Sequence, residues 1–471
     1  MGQKERLYVE IMALHPEVTG SLNLVNVIFP NYEWIRFIVD CGLFQEKQYS
    51  KYNKEFTFDP NNIDFCLVTH NHVDHIGRLP LLVKKGYNKL IYTSNPTKIL
   101  MPLALEDSCK VLRELSKRNC ERALYNDIDA DNTLRLVKGC DYRNEININD
   151  NIKVTFFENG HLVGASILLV QISYPGYEDI NLLFTGDYNS NNLFAKVEPL
   201  PNWVCELPIT VIQESTYGDM ESTEIVECFE KNVLACLKKK GAVVSPVFSL
   251  GRAQEILYKL KEMQETGKLS KEIPIYLDGN LGIKYTFLYL NAELNIKEEM
   301  KNFLPENLHY VDKKSRNSIL YDTSVKIILT TSGMGSYGPA QVYIPEYIKR
   351  ENALIQFTGY TAEGTLGRKL KEAEKGQTVE IGGRLLRKNA DVEYTNEFSA
   401  HAKSDEMIEF LKQFKRLKLA LVNHGEQNVK YVFANKIIEE VEPKDVGILG
   451  RDYFFRVNPY GLVETKTTKF M

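Results

Sequence analysis

Metal-binding side chains are concentrated in one short stretch of this 471-residue sequence, "THNHVDHIGRLP" at residues 69–80. Three of the eight histidines, His70, His72 and His75, fall within six positions there, and Asp74 stands between the last two. Imidazole and carboxylate groups are good zinc ligands. The stretch follows the apolar, strand-like segment "IDFCLVT". Because side chains at a strand end can converge on one point, we predict two metal ions here, one beside the first two histidines and one beside the carboxylate and the third histidine.

Four more candidate ligands stand at the ends of other strand-like segments. The segments are "WIRFIVD", "ENGHLVGAS", "NLLFTGD" and "LALVNH", and the residues are Asp40, His161, Asp187 and His424. Alone, each would more often be an ordinary turn residue, but together they fit the same metal site. With His401 in "EFSAHAKSDE" added, six of the eight histidines belong to this set, which leaves His15 and His309 without a role.

The composition is that of an ordinary folded protein. Hydrophobic residues make up 44% and charged residues 25%, and a chain of this length favours two or three domains. The net charge of −4 means that a nucleic-acid partner would need a local basic groove. The eight cysteines form no CxxC pair and are expected to be reduced thiols. Apolar runs fall short of the roughly 20 residues of a membrane span, so we expect a cytoplasmic protein that does not bind membranes.

The elements around these residues predict an α/β protein with an inserted domain. Short strand-like segments alternate with turns over residues 7–200, and "LEDSCKVLRELSKRN" between them has helical character. From about residue 213 strands and helices alternate, as in "AVVSPVF" followed by "AQEILYKLKEMQETG", which predicts a mostly parallel, doubly wound sheet. The predicted domains are residues 1–212 and 396–471, the two parts of the outer domain, and residues 213–395, the insert.

These motifs resemble those of a known family. "HNHVDH", together with Asp40, His161 and Asp187, is similar to the HxHxDH signature of the metallo-β-lactamase fold, an αββα sandwich of four layers. "QESTYGD", "EFSAHAKSDE" and "LVNHGE" resemble three further motifs of its β-CASP branch. That branch contains nucleases, among them the catalytic subunit of the pre-mRNA cleavage and polyadenylation machinery and its prokaryotic relatives. "SPVFSLGRAQEIL", "TTSGMGSYGPAQ" and "FTGYTAEGTLGR" extend the resemblance over nearly the whole chain.

The resemblance implies a role for each candidate residue. It implies two zinc ions, for which Mn²⁺ could substitute, and a proton donor for the leaving oxygen. One zinc would be bound by His70, His72 and His161, the second by Asp74, His75 and His424, and both by Asp187. Asp40 would orient one of the ligand histidines. His401 would protonate the leaving oxygen, and Glu214 would orient His401.

Substrate contacts are expected in the insert. The glycine-rich turn "TTSGMGSYGP" follows the strand "VKIIL", a place where free backbone N–H groups can hold a phosphate, which points to Ser332 and Gly333. Arg252, Arg368 and Tyr360 could contact the sugar-phosphate chain or stack on bases, although such residues are as often simply solvated.

The predicted activity is therefore hydrolysis of single-stranded RNA, as an endonuclease with 5′–3′ exonuclease activity left open. A small-molecule hydrolase of the same fold would not need an insert as long as residues 213–395. DNA-directed members of the branch usually carry valine where this chain has His424. A non-catalytic scaffold is disfavoured because each position of the site retains a competent ligand or acid. A homodimer and a larger processing complex are further expectations.

Overall fold

A computed structural model describes residues 7–225, 227–359, 361 and 364–467. They divide into two compact units. Unit 1 contains the described residues of Met1–Ser222, Glu293–Asn295 and Ala400–Met471, and unit 2 those of Thr223–Ala292 and Ile296–Ser399. The domain boundaries predicted from the sequence, after residues 212 and 395, remain a prediction.

The chain builds most of unit 1 before it enters unit 2. The strands are β1 (Tyr8–His15), β2 (Leu22–Ile28), β3 (Trp34–Val39), β4 (Phe65–Leu67), β5 (Ile91–Ser94), β6 (Val137–Cys140), β7 (Glu145–Asn147), β8 (Ile152–Glu158), β9 (Ser166–Ile172), β10 (Ile180–Phe184) and β11 (Ile209–Gln213). The helices are α1 (Val73–Ile76), α2 (Leu79–Lys84), α3 (Asn95–Asn119), α4 (Asp127–Leu136) and α5 (Asn202–Cys205), with 3₁₀ turns at Lys47–Asn53, Pro60–Asn62 and Ser222–Glu224.

Unit 2 follows, and the chain then returns to unit 1. The strands of unit 2 are β12 (Ala242–Pro246), β13 (Ile275–Asp278), β14 (Leu308–Val311), β15 (Lys326–Thr330), β16 (Leu354–Phe357), β17 (Thr378–Ile381), β18 (Arg384–Arg387) and β19 (Asp391–Tyr394). Its helices are α6 (Phe229–Lys238), α7 (Arg252–Glu265), α8 (Asn280–Asn291), α9 (Arg316–Tyr321), α10 (Ala340–Tyr347) and α11 (Leu366–Glu372), with a 3₁₀ turn at Glu298–Lys301. The returning elements are α12 (Ser404–Lys412), β20 (Leu417–Val422), α13 (Gln427–Glu440), β21 (Asp445–Ile448), β22 (Tyr453–Asn458) and β23 (Gly461–Thr467).

Unit 1 is a sandwich of two sheets covered by helices. One sheet has the order β23-β22-β1-β2-β3-β4-β5-β6 and the other β21-β20-β11-β10-β9-β8-β7. Successive side chains of a strand point to opposite faces, so apolar runs can fill two layers at once. In β3, Phe37 packs between the sheets and Ile38 packs in the layer of α2 and α3. In β8, Phe156 lies between the sheets and Phe157 in the layer of α12 and α13.

Parallel pairing brings the predicted site residues to one end of each sheet. β3 and β4 run parallel, so Asp40 and His70 both follow carboxyl ends of neighbouring strands. β10, β11 and β20 are also parallel neighbours, and Asp187, Glu214 and His424 follow their carboxyl ends. These strands therefore position two sets of loops, which contain the candidate site residues.

Unit 2 is built on a parallel sheet with the order β14-β13-β15-β12-β16-β19, and β17 and β18 form a separate hairpin. The buried Asp278, at the end of β13, accepts two hydrogen bonds from Arg316 and one from Tyr343. The predicted fold class, an αββα sandwich with an inserted, doubly wound domain, is confirmed. Within the described part of the chain, the helices are too short or too polar to cross a bilayer.

The stacked rings of Phe37 and Phe65, whose centroids are 4.7 Å apart, should be a main contributor to the stability of unit 1. We expect Phe37→Ala to lower the free energy of unfolding by about 3–5 kcal/mol, because it removes a buried ring and leaves a cavity. The exposed Ile128 provides the control, since Ile128→Ala should change it by less than about 0.5 kcal/mol. Urea unfolding followed by tryptophan fluorescence measures unit 1 selectively, because Trp34 and Trp203 both lie there. Equal midpoints for the Phe37 variant and the wild type would contradict this prediction.

Candidate metal centre

The carboxylate of Asp187 lies at the centre of the site and is almost fully buried. Its Oδ2 is 3.6 Å from His70 Nε2 and 3.5 Å from His161 Nε2. Its Oδ1 is 3.1 Å from His75 Nε2 and 3.4 Å from His424 Nδ1. The two oxygens of one carboxylate therefore face two different pairs of histidines.

The first group of potential ligands joins three imidazoles to this carboxylate. His72 Nδ1 lies 3.2 Å from His70 Nε2 and 3.0 Å from His161 Nε2. The ligand atoms of these histidines and of Asp187 lie within 4.8 Å of one another. Burial lowers the pKa of all three histidines, which keeps the imidazoles neutral and a lone pair available for a metal.

The second group consists of Asp74, His75 and His424, whose ligand atoms also lie within 4.8 Å of one another. Burial alone would lower the pKa of His75, but the carboxylates of Asp187 and Asp40 raise it well above its usual value. Burial alone would raise the pKa of Asp187, but the surrounding histidines hold it well below its usual range. The site thus keeps a carboxylate ionised although it is shielded from water.

Asp40 fixes the orientation of one of these histidines. Its Oδ2 lies 2.8 Å from His75 Nδ1, which leaves His75 Nε2 directed toward the second group. The backbone N–H of Thr69 donates to Asp40 Oδ1 at 2.8 Å, and the Thr69 hydroxyl donates to Oδ2 at 2.9 Å. A carboxylate in this position sets both the tautomer and the ring orientation of a metal-binding histidine.

The backbone around the site is unusual in ways that serve this geometry. Asp40 and His424 adopt left-handed conformations, with φ of 63° and 46°, at the exits of β3 and β20. Non-glycine residues hold such angles at a cost of about 1–3 kcal/mol, and they cluster at functional sites. A Cβ atom on Gly42 would lie 1.5 Å from the carbonyl oxygen of Asp74, so only glycine lets this loop pass the metal-binding loop so closely.

His401 and Glu214 form a second carboxylate–imidazole pair beside the metal groups. Glu214 Oε1 lies 2.8 Å from His401 Nδ1, and the buried carboxylate also accepts from the backbone N–H groups of Tyr188 and Thr216. Burial alone would lower the pKa of His401, but Glu214 raises it. His401 Nε2 lies 3.8 Å from Asp187 Oδ2, and the imidazole is 20% exposed, so it can meet both the metal site and a substrate.

The donor atoms of the site fit a divalent metal ion. His75 Nε2, His424 Nε2 and Asp187 Oδ1 are buried and make no hydrogen bond to any described residue. The first and last of these atoms are only 3.1 Å apart, but they are not aligned for a hydrogen bond. A buried polar atom without a partner costs about 1–3 kcal/mol, which a bound cation would offset. A donor set of nitrogen and oxygen suits zinc, and manganese is an acceptable substitute.

Unit 2 contains the described members of the predicted substrate contacts, which are Ser332, Gly333, Arg252 and Arg368. Ser332 is half-buried, and Gly333 is buried against the ring of Phe248. Arg252 is also buried, and its guanidinium pairs with Glu255 at 2.6 Å. Arg368 pairs with Glu372 at 2.6 Å, and Tyr360 lies outside the described residues.

Thr69 and Ser21 stabilise the loops of the site but are not among the residues predicted from the sequence. Thr69 binds Asp40 through both its backbone and its hydroxyl group, and the backbone N–H of Ser21 donates to the carbonyl of Asp74 at 2.7 Å. Thr69 directly precedes His70, so its position at the strand end was the one signal available. Ser21 has no such signal, because its contribution is a backbone group.

Comparison with protein families agrees with this geometry. Residues 31–192 match the metallo-beta-lactamase superfamily domain, residues 253–370 the Beta-Casp domain, and residues 386–448 the Zn-dependent metallo-hydrolase RNA specificity domain. The chain therefore belongs to the β-CASP branch of the metallo-β-lactamase superfamily and is a metal-dependent hydrolase. The resemblance inferred from the motifs is confirmed.

Several curated relatives cover most of the chain. An RNase J-like protein of Methanocaldococcus jannaschii is 28% identical over 85% of this chain and 90% of its own length. A ribonuclease of Thermus thermophilus is 29% identical over 87% of this chain and 91% of its own length. The transcription termination factor FttA of Methanosarcina mazei is 30% identical over 86% of this chain, but the match spans only 66% of that factor.

Zinc should stabilise the metal-stripped protein, because it binds the folded cluster and not the unfolded chain. At a free zinc concentration a hundredfold above Kd, we expect the free energy of unfolding to rise by about 2.7 kcal/mol. His161→Ala should reduce both the bound zinc and this stabilisation, whereas His309→Ala should preserve both, since His309 is exposed and bonded to Asn307. Calorimetry combined with elemental analysis measures the two quantities. A melting temperature insensitive to zinc would show that the cluster does not bind metal.

Proposed function

We propose that this protein is a zinc-dependent ribonuclease that hydrolyses phosphodiester bonds of single-stranded RNA with two metal ions. The observation that carries the proposal is the position of Asp187, whose two oxygens face two separate groups of buried ligands. When bound, two zinc ions at such a site activate water and neutralise charge on the phosphodiester group. In the proposal, each of the two groups described above would hold one ion, and Asp187 would contribute a ligand atom to both.

His401 is the proposed general acid. Its Nδ1 is held by Glu214 at 2.8 Å, so the opposite nitrogen, Nε2, is the one proposed to protonate the leaving oxygen. Glu214 raises the pKa of His401, which favours the protonated form needed in an acid. Glu214 itself is a proposed positioning residue, because its buried carboxylate oxygens accept hydrogen bonds from the backbone N–H groups of Tyr188 and Thr216.

RNA as the substrate is supported by the RNA specificity domain over residues 386–448, which includes His401 and His424. Two of the relatives are named as a ribonuclease and an RNase J-like protein. Ser332 and Gly333 stay the proposed phosphate contacts. Arg252 could join them only by leaving Glu255. The cytoplasmic location, the homodimer and the larger processing complex also stay predictions.

A comparison of substrates tests the reaction class. We expect strong chelators to abolish cleavage of a single-stranded RNA oligomer, and Zn²⁺ or Mn²⁺ to restore it, because the donor set is made of nitrogen and oxygen atoms. A generic bis-phenyl phosphodiester should be turned over far more slowly than RNA. RNA labelled at the 5′ or the 3′ end separates internal cleavage from 5′–3′ trimming. Equal turnover of the two substrates would favour a small-molecule hydrolase, and cleavage of single-stranded DNA alone would favour a DNA-directed enzyme.

Alanine substitutions of two histidines with different proposed roles should have different effects on metal content and cleavage rate. His424→Ala removes a ligand, so the purified protein should lose part of its metal, and added zinc or manganese should restore some cleavage. His401→Ala should keep its metal and lose about 10²- to 10⁴-fold in rate, the usual contribution of a positioned general acid. Elemental analysis and single-turnover cleavage measure both effects.

An RNA analogue with a more acidic leaving group provides the control for this pair. It needs no proton from the enzyme, so it should recover most of the loss in His401→Ala and little in His424→Ala. If His401→Ala sheds metal, or if His424→Ala retains both ions, the division of roles is wrong.

A further inference from the structure

A buried asparagine next to the metal centre uses its whole hydrogen-bonding capacity to join two metal-binding loops. Asn159 is 2% exposed and lies just beyond the end of β8. Its Nδ2 donates to the carbonyl oxygens of Thr185, at 2.7 Å, and Asp187, at 2.6 Å. Its Oδ1 accepts from the backbone N–H groups of His161, at 2.9 Å, and Asn189, at 3.2 Å.

The orientation of this carboxamide is determined by its partners. Carbonyl oxygens can only accept hydrogen bonds and backbone N–H groups can only donate them, so the amide cannot be flipped. An asparagine side chain offers two donated and two accepted hydrogen bonds, and Asn159 makes all four. Such a fully satisfied, buried polar group specifies a single geometry, because any shift of either loop breaks a bond that water cannot replace.

The two loops joined in this way carry two ligands of the same group. His161 lies in the turn between β8 and β9, and Asp187 follows β10. The loops also contact directly, because the N–H of Gly160 donates to the carbonyl of Asn189 at 2.8 Å. A Cβ atom on Gly160 would lie 2.3 Å from the carbonyl oxygen of Asn191, so the approach requires glycine at this position.

We infer that Asn159 is a positioning residue of the metal centre, which sets the spacing between His161 and Asp187 and thereby the affinity of the site for metal. The inference rests on the proposed metal-binding role of those two residues. Asn159 touches neither metal nor substrate and acts through the backbone of the two ligands. Partners that orient metal ligands typically change metal affinity by 10- to 100-fold when they are removed.

Asn181, in the same sheet as β8, provides a matched control. It lies in β10, is 3% exposed, donates to the carbonyl of Pro208 at 3.0 Å and accepts from Gln171 at 3.2 Å. It is thus another buried asparagine whose side chain both donates and accepts a hydrogen bond. It lies near the start of β10, whereas Asp187 follows the end of this strand. Asn181→Ala should lower the stability of the metal-free protein without affecting the metal centre.

The experiment compares the wild type, Asn159→Ala, Asn159→Asp and Asn181→Ala after metal removal. Zinc affinity is measured by competition with a chromophoric chelator, ligand geometry by the visible absorption of the cobalt-substituted protein, and folding by thermal unfolding without metal. We expect both alanine variants to unfold at lower temperature. Of these two alanine variants, only Asn159→Ala should bind zinc 10- to 100-fold more weakly and shift the cobalt bands, and high zinc should restore its cleavage of RNA.

The aspartate variant separates the two halves of the contact. Asn159→Asp has nearly the same shape and keeps the bonds accepted from His161 and Asn189, but it presents oxygen to the carbonyls of Thr185 and Asp187. Asn159→Asp should also weaken zinc binding. If the alanine variant does not fold, the aspartate variant still tests whether Asn159 sets the zinc affinity. Wild-type affinity and cobalt spectrum in the Asn159 variants, or an equal loss in Asn181→Ala, would overturn the inference. A wild type that binds no zinc would instead overturn the proposed function.

Discussion

The structure of unit 1 depends on the burial of one carboxylate among imidazoles. Asp187 is 3% exposed, and five histidine nitrogens lie within 3.8 Å of its oxygens. Removing a carboxylate from water is costly unless charges or hydrogen bonds compensate it. The compensating groups come from loops far apart in sequence, so they meet only if the strands beneath them are aligned. The parallel pairing of β3 with β4, and of β10 with β11 and β20, provides this alignment.

Two carboxylate–imidazole pairs of equal length have different surroundings in this site. The Asp40–His75 and Glu214–His401 contacts are both 2.8 Å, and in both the carboxylate faces Nδ1. The difference lies in the surroundings of the opposite nitrogen. The side chain of His75 is 1% exposed and its Nε2 faces the shared carboxylate, whereas that of His401 is 20% exposed. The buried ring suits a ligand, and the more accessible ring suits a group that hands a proton to a substrate.

The sequence contained most of the site but not the means of its assembly. Strand-end histidines and aspartates with adjacent glycines identified the residues that now form the two ligand groups, and the alternation of strands and helices predicted the parallel sheet of unit 2. The insertion of β20 next to β11 and the return of β22 to pair with β1 could not be predicted, since these pairings join residues more than 200 positions apart. Thr69 and Asn159 escaped notice because polar residues near turns are common. The burial and pairing of Arg252 depend on tertiary contacts that have no local signal.

The interrupted order of the chain also has a consequence for its synthesis on the ribosome. The "HNHVDH" stretch emerges early, but β20 and His424 follow only after unit 2. At about 5 to 20 residues per second, the segment from Glu214 to His424 takes roughly 10 to 40 s to translate. Until residues 401 and 424 have been made, the nascent protein lacks the proposed proton donor and the proposed last ligand. With the roles proposed for these two residues, a hydrolase directed at RNA is inactive while most of its message is being translated, and an incomplete chain released by a stalled ribosome carries no assembled site.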